Sequence, residues 1–450
     1  MARLFGTDGV RGVVNETLTP ELVYHLGRAA AYVFRKETEH PTFLVGRDTR
    51  LSGTMLEAAL AAGICSVGGN IVQLGVVPTP AVAYLTRVHH MNAGIMISAS
   101  HNPFDDNGIK FFDSKGFKLP DEQEDQLEDF LLKDERGEIS TRPTGASIGS
   151  ITVHPTLWDE YLDFICSTTD IRLDGLKIVH DGANGSASQA GPAIFRRLGA
   201  TVIAIHNEPN GININDHCGS THLDSLKAKV LEVGADIGIA NDGDADRCLV
   251  VDENGVEMDG DQIMYLCAAQ LKAQGKLAKN TVVGTVMSNI GFHKAMEAIG
   301  GNTVATAVGD RYVLERMLKD GYCLGGEQSG HVIFLDYNTT GDGILTAVQL
   351  LSILKISGKP LSELAGKMKK YPQLLENIRV QTKSGWQANN LIMAAISAGE
   401  EELGDEGRIL VRPSGTEQLI RVMAEGPDQE QLNRIVRDIA SIIQREMGAR

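Results

Sequence analysis

The residues best suited to chemistry begin with Ser100-His101-Asn102-Pro103, which follows the apolar run Ile95-Met96-Ile97. The chain resumes beyond it as Ile109-Lys110-Phe111-Phe112. Pro103 has no backbone donor and biases Asn102 away from helix, so the chain must turn there. A serine is then presented at the carboxyl end of a buried strand, beside His101, with Lys110 on the returning segment. In open α/β sheets that end of the strand is where ligands bind. Ser100 reads either as a reacting group or as part of a turn that caps its own backbone.

A second set is Asp242, Asp244 and Asp246, within Asn241-Asp242-Gly243-Asp244-Ala245-Asp246-Arg247. Alternation along an extended loop lets the three carboxylates converge from one side. Held close, they repel unless a hard cation with oxygen ligands neutralises them. With Glu253 at the twelfth position the stretch imitates an EF-hand, but Arg247 stands where that loop needs glycine, and strands flank it. Three carboxylates suit magnesium, which completes its octahedron with water and substrate phosphate. The other reading is a solvated acidic turn.

Two further loops could hold substrate. Gly326-Glu327-Gln328-Ser329-Gly330-His331 offers a carboxylate and a hydroxyl between glycines, suited to neighbouring sugar hydroxyls. Val411-Arg412-Pro413-Ser414-Gly415-Thr416-Glu417, with Arg421 on the next strand, offers guanidinium, hydroxyls and backbone N–H groups. That set makes a phosphate cradle or an ordinary hairpin turn. Near the amino terminus, Gly6, Gly9 and Gly12 surround Asp8 and Arg11, which reads as a loop that lets Arg11 reach an anion or as a plain turn.

These loops need a scaffold. A chain of 450 residues suggests roughly three or four domains. Strands at Thr42 to Val45, Asn70 to Leu74 and Ile95 to Ile97 alternate with helices, predicting a largely parallel α/β sheet. A second unit opens at Leu176 and a third at Thr281, each again with an apolar strand, a polar loop and an apolar strand. After Lys369 to Pro372, which reads as a linker, the order becomes α+β. The expected domains are 1–152, with the Ser100 loop; 153–255, with the Asp loop; 256–368, with the Glu327 loop; and 369–450, with the phosphate cradle. The fold class is α/β, with a smaller α+β carboxyl-terminal domain.

Net charge of −16 argues against nucleic acid or an anionic membrane as partner. Six cysteines without CxxC pairs frame neither a disulfide scaffold nor a zinc site. No apolar run approaches the ~18 residues of a membrane helix, and the first residues lack a signal peptide's apolar stretch. The expected compartment is the cytoplasm.

Over essentially the whole chain, and in all four loops, the sequence resembles the α-D-phosphohexomutases. Three stretches make it most similar to the bacterial members that act on glucosamine phosphates: Gln328, where phosphomannomutases commonly carry methionine; Asn213-Ile214-Asn215 with Cys218-Gly219-Ser220-Thr221; and Val308-Gly309-Asp310-Arg311-Tyr312. Two minor departures are Gln418 in place of a usual proline and Ala245 in place of a common glycine.

The resemblance implies three similar mixed α/β domains and the smaller fourth around a central cleft. It implies that Ser100 is the phosphoserine and that Asp242, Asp244 and Asp246 bind one Mg2+ per chain together with the phosphate on Ser100. Glu327 and Ser329 would hold sugar hydroxyls. Arg412, Ser414, Gly415, Thr416 and Arg421 would hold the phosphate that is not reacting. Arg11, His101, Lys110, Arg247 and His331 match positions lining the centre, with Lys110 or His101 moving the proton.

The implied reaction interconverts glucosamine 6-phosphate and glucosamine 1-phosphate through a 1,6-bisphosphate, with glucosamine or glucose 1,6-bisphosphate as activator. It would supply UDP-N-acetylglucosamine and cell-wall synthesis, in a homodimer. The alternatives are glucose or mannose phosphates on the same fold, a magnesium-dependent phosphatase, and a binding module without turnover.

Overall fold

The computed structural model describes residues 3–6, 8–36, 38–139, 142–414 and 417–449. The chain divides into two units, Met1–Met287 with Thr303–Gly366, and Ser288–Asn302 with Lys367–Arg450.

In the first unit the leading sheet runs Val10–Val13, Asp106–Asp113, Ala93–Ile97, Thr42–Arg47, Asn70–Val76, Ile151–Val153. Its inner strands are parallel, as the strand–helix alternation predicts, but Asp106–Asp113 returns antiparallel to Ala93–Ile97 and to Val10–Val13. Ala93–Ile97 is buried along its whole length, which is why it reads as an unbroken apolar run. Helix Pro20–Phe34 starts where Thr19 Oγ1 accepts from the Leu22 N–H and proline occupies the first turn. Its apolar stripe, including Val23, Leu26 and Ala30, packs in one core with Phe43, Val45, Ile95 and Ile97.

Two features differ from expectation. Arg11 lies on the edge strand Val10–Val13 rather than in a loop, paired with Gly108. Four residues of edge strand carry too little periodicity to be recognised without their partner. The sheet also gains the short strand Ile151–Val153, parallel to Asn70–Val76.

A second sheet runs Glu257–Met258, Cys248–Asp252, Ile237–Asn241, Lys177–Asp181, Thr201–Ile205. A third runs Asn302–Thr306, Thr281–Thr285, Leu324–Gly326, Val332–Phe334. In each sheet the repeated apolar–polar–apolar pattern corresponds to an antiparallel hairpin. Ile97 pairs with Ile109, Asn241 with Cys248, and Gly326 with Val332. The Ser100, Asp and Glu327 loops are the three hairpin tips.

The second unit is built on an antiparallel sheet, Gln373–Arg379, Leu419–Glu425, Arg408–Pro413. Helices Asn390–Leu403 and Gln429–Met447 supply Ile392, Ile396, Leu432, Val436 and Ile443 to its core. It is not confined to the last ~80 residues, because Ser288–Asn302 belongs to it. Buried Glu425 accepts from Ile290 N–H at 3.0 Å and from Arg408 Nε–H at 2.8 Å, tying that segment down.

Candidate active site

Ser100 stands just past the end of Ala93–Ile97 with φ +52°, in the left-handed region that L residues avoid. Its N–H donates to Ser98 Oγ at 2.9 Å, and the Asn102 N–H closes a turn onto Ala99 O at 3.1 Å. The hydroxyl, 2% exposed with its residue, donates to Asp242 Oδ2 at 2.6 Å. His101 Nδ1 lies 3.3 Å from the same oxygen. The serine of one sheet thus meets the acid loop of the next.

Asp242, Asp244 and Asp246 are all buried and bring one carboxylate oxygen each within 4.8 Å of one another. Convergence was expected from alternation along an extended loop; the loop is instead a tight turn. Ala245 N–H donates to Asp242 O at 3.1 Å, with Ala245 at φ +62°. The turn is seated so closely that a Cβ on Gly243 would lie 2.6 Å from Ser100 O, and one on Gly185 2.3 Å from Gly243 O. Glycine at both positions is a condition of the approach.

Asp244 and Asp246 each have one oxygen committed to the protein, and Asp242 has both. Asp244 Oδ2 accepts from Thr79 Oγ1–H at 2.6 Å and from Lys110 Nζ at 2.8 Å. Asp246 Oδ2 lies 3.5 Å from His331 Nδ1, and Asp242 Oδ1 accepts from the Arg247 N–H at 3.1 Å. Oδ1 of Asp244 and Oδ1 of Asp246 are buried with no hydrogen-bond partner. Such orphaned anionic oxygens are costly unless a cation takes them. Burial first, and then the charges of Asp246 and Asp244, push the Asp242 carboxyl well above the usual range. The donor set fits a hard divalent cation.

The surrounding charges alternate. Lys110, 1% exposed, touches Asp244, Asp8 at 2.9 Å and Asp246 at 3.9 Å. Burial lowers its pKa, but these carboxylates more than offset that and leave it a firmly held ammonium. Burial, Arg247 and Arg11 push His101 the other way, down to about 4, so its ring is neutral at pH 7. Arg11 pairs with Asp8, and Lys118 bridges Asp8 and Asp310. Asp310 Oδ2 stands 3.4 Å from His331 Nε2.

The Glu327 loop is pinned against these elements. Cys248 N–H donates to Gly330 O at 3.0 Å and Gly260 N–H to Gln328 O at 2.9 Å. Glu327 Oε1 accepts from the Gly309 N–H at 3.0 Å, and half-buried Ser329 follows it. Gln328 Nε2 donates to Asp259 Oδ2 at 3.3 Å. Ser100, His101, Lys110, Arg11, the three acids, Arg247, Glu327, Ser329 and His331 therefore all sit in the first unit.

Arg412, Ser414 and Arg421 are in the second unit. Arg412 is the cross-strand partner of Arg421, and burial and that neighbour lower its pKa. Arg421 Nε is buried without a hydrogen-bond partner. Two adjacent guanidinium groups favour an anion between them. Lys383 Nζ donates to Ser414 O at 2.8 Å. Gly415 and Thr416 lie outside the described residues.

Sequence reading passed over several members of this network. Asp8 was noticed only as part of a glycine-rich start, and Asp310 only inside Val308–Tyr312. Thr79 stands between two prolines at the start of helix Thr79–Val88, a position whose local sequence carries no sign of chemistry.

Four family models match the chain: Phosphoglucomutase/phosphomannomutase alpha/beta/alpha domain I over residues 2–138, domain II over 159–255, domain III over 259–371, and the C-terminal domain over 375–442. A phosphoglucosamine mutase of Geobacillus thermodenitrificans is 55% identical over 448 residues, covering 100% of both chains. Among solved structures, a phosphoglucomutase/phosphomannomutase family protein from Burkholderia thailandensis superposes with TM-score 0.83 at 27% identity, over 98% of this chain and 97% of that one. The N-acetylphosphoglucosamine mutase of Aspergillus fumigatus, in complex with GlcNAc-6P and magnesium, shares the fold with TM-score 0.71 at 18% identity, over 98% and 95%. Among the described residues no helix is long and apolar enough to cross a membrane.

Proposed function

Because the chain belongs to the phosphoglucomutase/phosphomannomutase family, we propose that it interconverts glucosamine 6-phosphate and glucosamine 1-phosphate through a phosphoserine at position 100. The observation that carries this reading is the Ser100 hydroxyl, buried and 2.6 Å from Asp242 at the edge of a carboxylate triad with two unpartnered oxygens. Such a placement suits a serine that carries a phosphoryl group beside a cation. It ill suits a turn that only satisfies its own backbone. The 55% identity to a phosphoglucosamine mutase over the full chain supports the amino sugar as substrate.

The phosphoryl group on Ser100 passes to the sugar 1-hydroxyl. The bond from Oγ to phosphorus breaks, the bond from O1 to phosphorus forms, and the hydroxyl proton ends on Ser100 Oγ. The bisphosphate turns over, its 6-phosphoryl returns to Oγ, and the proton leaves to O6. Catalysis of such a transfer is mostly positioning and charge neutralisation. Asp242, Asp244 and Asp246 would hold a magnesium ion, which would supply charge neutralisation to the transferring phosphoryl group.

When the serine is rephosphorylated, Asp242 Oδ2 orients the Oγ hydroxyl and His101 Nδ1, 3.3 Å from Oγ, relays its one proton toward O6. Lys110 serves as a fixed charge, since three carboxylates hold its ammonium. Arg11, Arg247 and His331 balance the acids and the incoming phosphate. Glu327 and Ser329 bind sugar hydroxyls. Arg412, Ser414, Gly415, Thr416 and Arg421 bind the phosphate that is not reacting. One magnesium ion per chain, a hexose 1,6-bisphosphate activator and a cytoplasmic homodimer complete the reading, supported by the family resemblance.

The test is product formation from glucosamine 6-phosphate beside glucose and mannose 6-phosphates, with magnesium and a trace of hexose 1,6-bisphosphate. Strong preference for the amino sugar is expected. Preference for glucose or mannose would overturn the substrate, and phosphate release without isomerisation would overturn the mutase reaction itself.

A further inference from the structure

The stretch Asn213 to Thr221 marks the resemblance to amino-sugar members, yet none of its residues enters the reaction above. The structure gives one of them a definite contact. Asn215 Nδ2 donates to Ser100 O at 2.9 Å and to Asn102 O at 3.0 Å. Arg50 approaches the same two carbonyls, its Nη2 donating to Ser100 O at 3.1 Å and Asn102 O at 2.6 Å. Both side chains are buried, Arg50 at 1% and Asn215 at 8% exposure, and these donors are spent on the carbonyls of the turn.

The two donors belong to one hydrogen-bonded network. Arg50 is paired with Asp48, which also accepts from the Ser98 hydroxyl at 2.6 Å, and Ser98 Oγ in turn accepts the Ser100 N–H. Thr49 Oγ1 donates to Asn184 O at 2.6 Å, and Leu51 N–H to Gly211 O at 2.8 Å. Asn215 N–H donates to Ala183 O at 2.9 Å, and Asn184 Nδ2 to Asn213 O at 3.2 Å. Asp181 accepts from Gly219 N–H at 3.1 Å, closing the loop onto the second sheet. The segment after Thr42–Arg47 and the loop after Thr201–Ile205 are therefore fastened to the same turn.

We propose that Asn215 and Arg50 are positioning residues that clamp the Ser100 and Asn102 carbonyls, holding Ser100 in its left-handed conformation with Oγ facing the acid triad. This deepens the reading of Ser100 as the phosphoryl carrier and rests on it. A non-glycine residue at φ +52° persists only where its surroundings over-determine it. Here both carbonyls of the turn are taken up by the same two side chains, with Ser100 O and Asn215 Nδ2 seated against Gly243 of the acid loop. A serine released from the clamp relaxes toward the ordinary region and carries its Oγ off Asp242. Misplacement of a reacting group by about 1 Å costs on the order of 100-fold in rate.

The experiment compares Asn215→Ala, Asn215→Asp and Ser100→Ala with the parent full-length enzyme. Three quantities are read: mutase kcat and KM, the single-turnover rate at which glucose 1,6-bisphosphate phosphorylates Ser100, and thermal melting. Asn215→Ala should lose roughly 10- to 100-fold in kcat and in the phosphorylation rate, with KM and melting close to the parent. Asn215→Asp should lose more, because a carboxylate there repels both carbonyl oxygens. If Asn215→Ala does not fold, Asn215→Ser, too short to span both carbonyls, carries the same comparison. Parental kcat in the Ala or Ser variant, or a loss confined to KM, overturns the clamp while leaving Ser100 in place. Full turnover in Ser100→Ala would instead overturn the reading on which the clamp rests.

Discussion

Replacing Lys110 by methionine keeps an unbranched stem of similar volume and deletes the ammonium. In the folded protein that ammonium is buried and lies 2.8 Å from Asp244, 2.9 Å from Asp8 and 3.9 Å from Asp246. At an effective dielectric of about 20, a unit pair at 2.8 Å attracts by roughly 6 kcal/mol. Desolvation of the ammonium offsets part of this, and deleting one member of a buried ion pair costs about 3–5 kcal/mol net. Metal-free Lys110→Met should therefore unfold about 3–5 kcal/mol more easily than the parent, measured by urea denaturation in a chelator.

The same deletion should act in the opposite direction on cation binding. Asp244 Oδ1 and Asp246 Oδ1 still have no partner, and one positive charge fewer opposes an arriving ion. At pH 8 the variant should bind Mn2+ or Mg2+ at least ~10-fold tighter, about 1.4 kcal/mol, read by calorimetric titration. Saturating ion should then recover more stability in the variant than in the parent. Turnover should fall nonetheless, because the charge that helps hold Asp244 and Asp246 is gone. Parental stability without metal, or unchanged or weaker ion binding, would refute the view that Lys110 is the resident counter-charge of the triad.

Ser100→Ala should abolish mutase turnover and the incorporation of phosphate from hexose bisphosphate; residual turnover at a tenth of the parent, by coupled assay, would be too much for the proposed carrier. Gly243→Ala should cost at least ~100-fold in kcat, since its Cβ would meet Ser100 O at 2.6 Å and Asn215 Nδ2 at 2.9 Å; unchanged kinetics would mean that the two loops need not pack so closely. Glu327→Gln should raise KM for the sugar phosphate more than it lowers kcat, and a pure kcat loss in steady-state kinetics would remove it from sugar binding. Asp342, fully buried at the start of helix Gly343–Ser357, has its carboxyl pushed up to about 6 by burial, against hydrogen bonds from Leu345 N–H, Asn338 and Tyr161. Because the folded value exceeds the unfolded one, the penalty is absent below about pH 4, grows to about pH 6 and stands at ~3 kcal/mol above it. Asp342→Asn should therefore gain stability relative to the parent between pH 4 and 6 in urea melts, and a pH-independent difference would contradict the shift.

What was legible in the sequence was local. The Ser100, Asp and Glu327 loops each interrupt an apolar run, and each is the tip of a hairpin whose two strands are adjacent in sequence. A pattern of this kind is contained in fewer than about thirty residues, within reach of periodicity and turn chemistry. Even there the reason could be wrong while the grouping held: the three acids were expected to converge by alternation, and they converge through a turn at Ala245. What was not legible joins distant segments. Arg11 acquires its place only by pairing with Gly108, and Thr79 only by reaching Asp244, 165 residues away. Lys118 meets Asp310 across 192 residues, and Asn215 meets Ser100 across 115. None of these partners leaves a mark in its own neighbourhood, because a buried donor is chosen by the acceptor it finds after folding. Local sequence therefore exposes the groups that react, whereas the groups that aim them emerge only from the packing of one sheet against the next. That asymmetry makes substitutions at Arg50, Thr79 and Asn215 sharper probes of this site than further changes at the acids themselves.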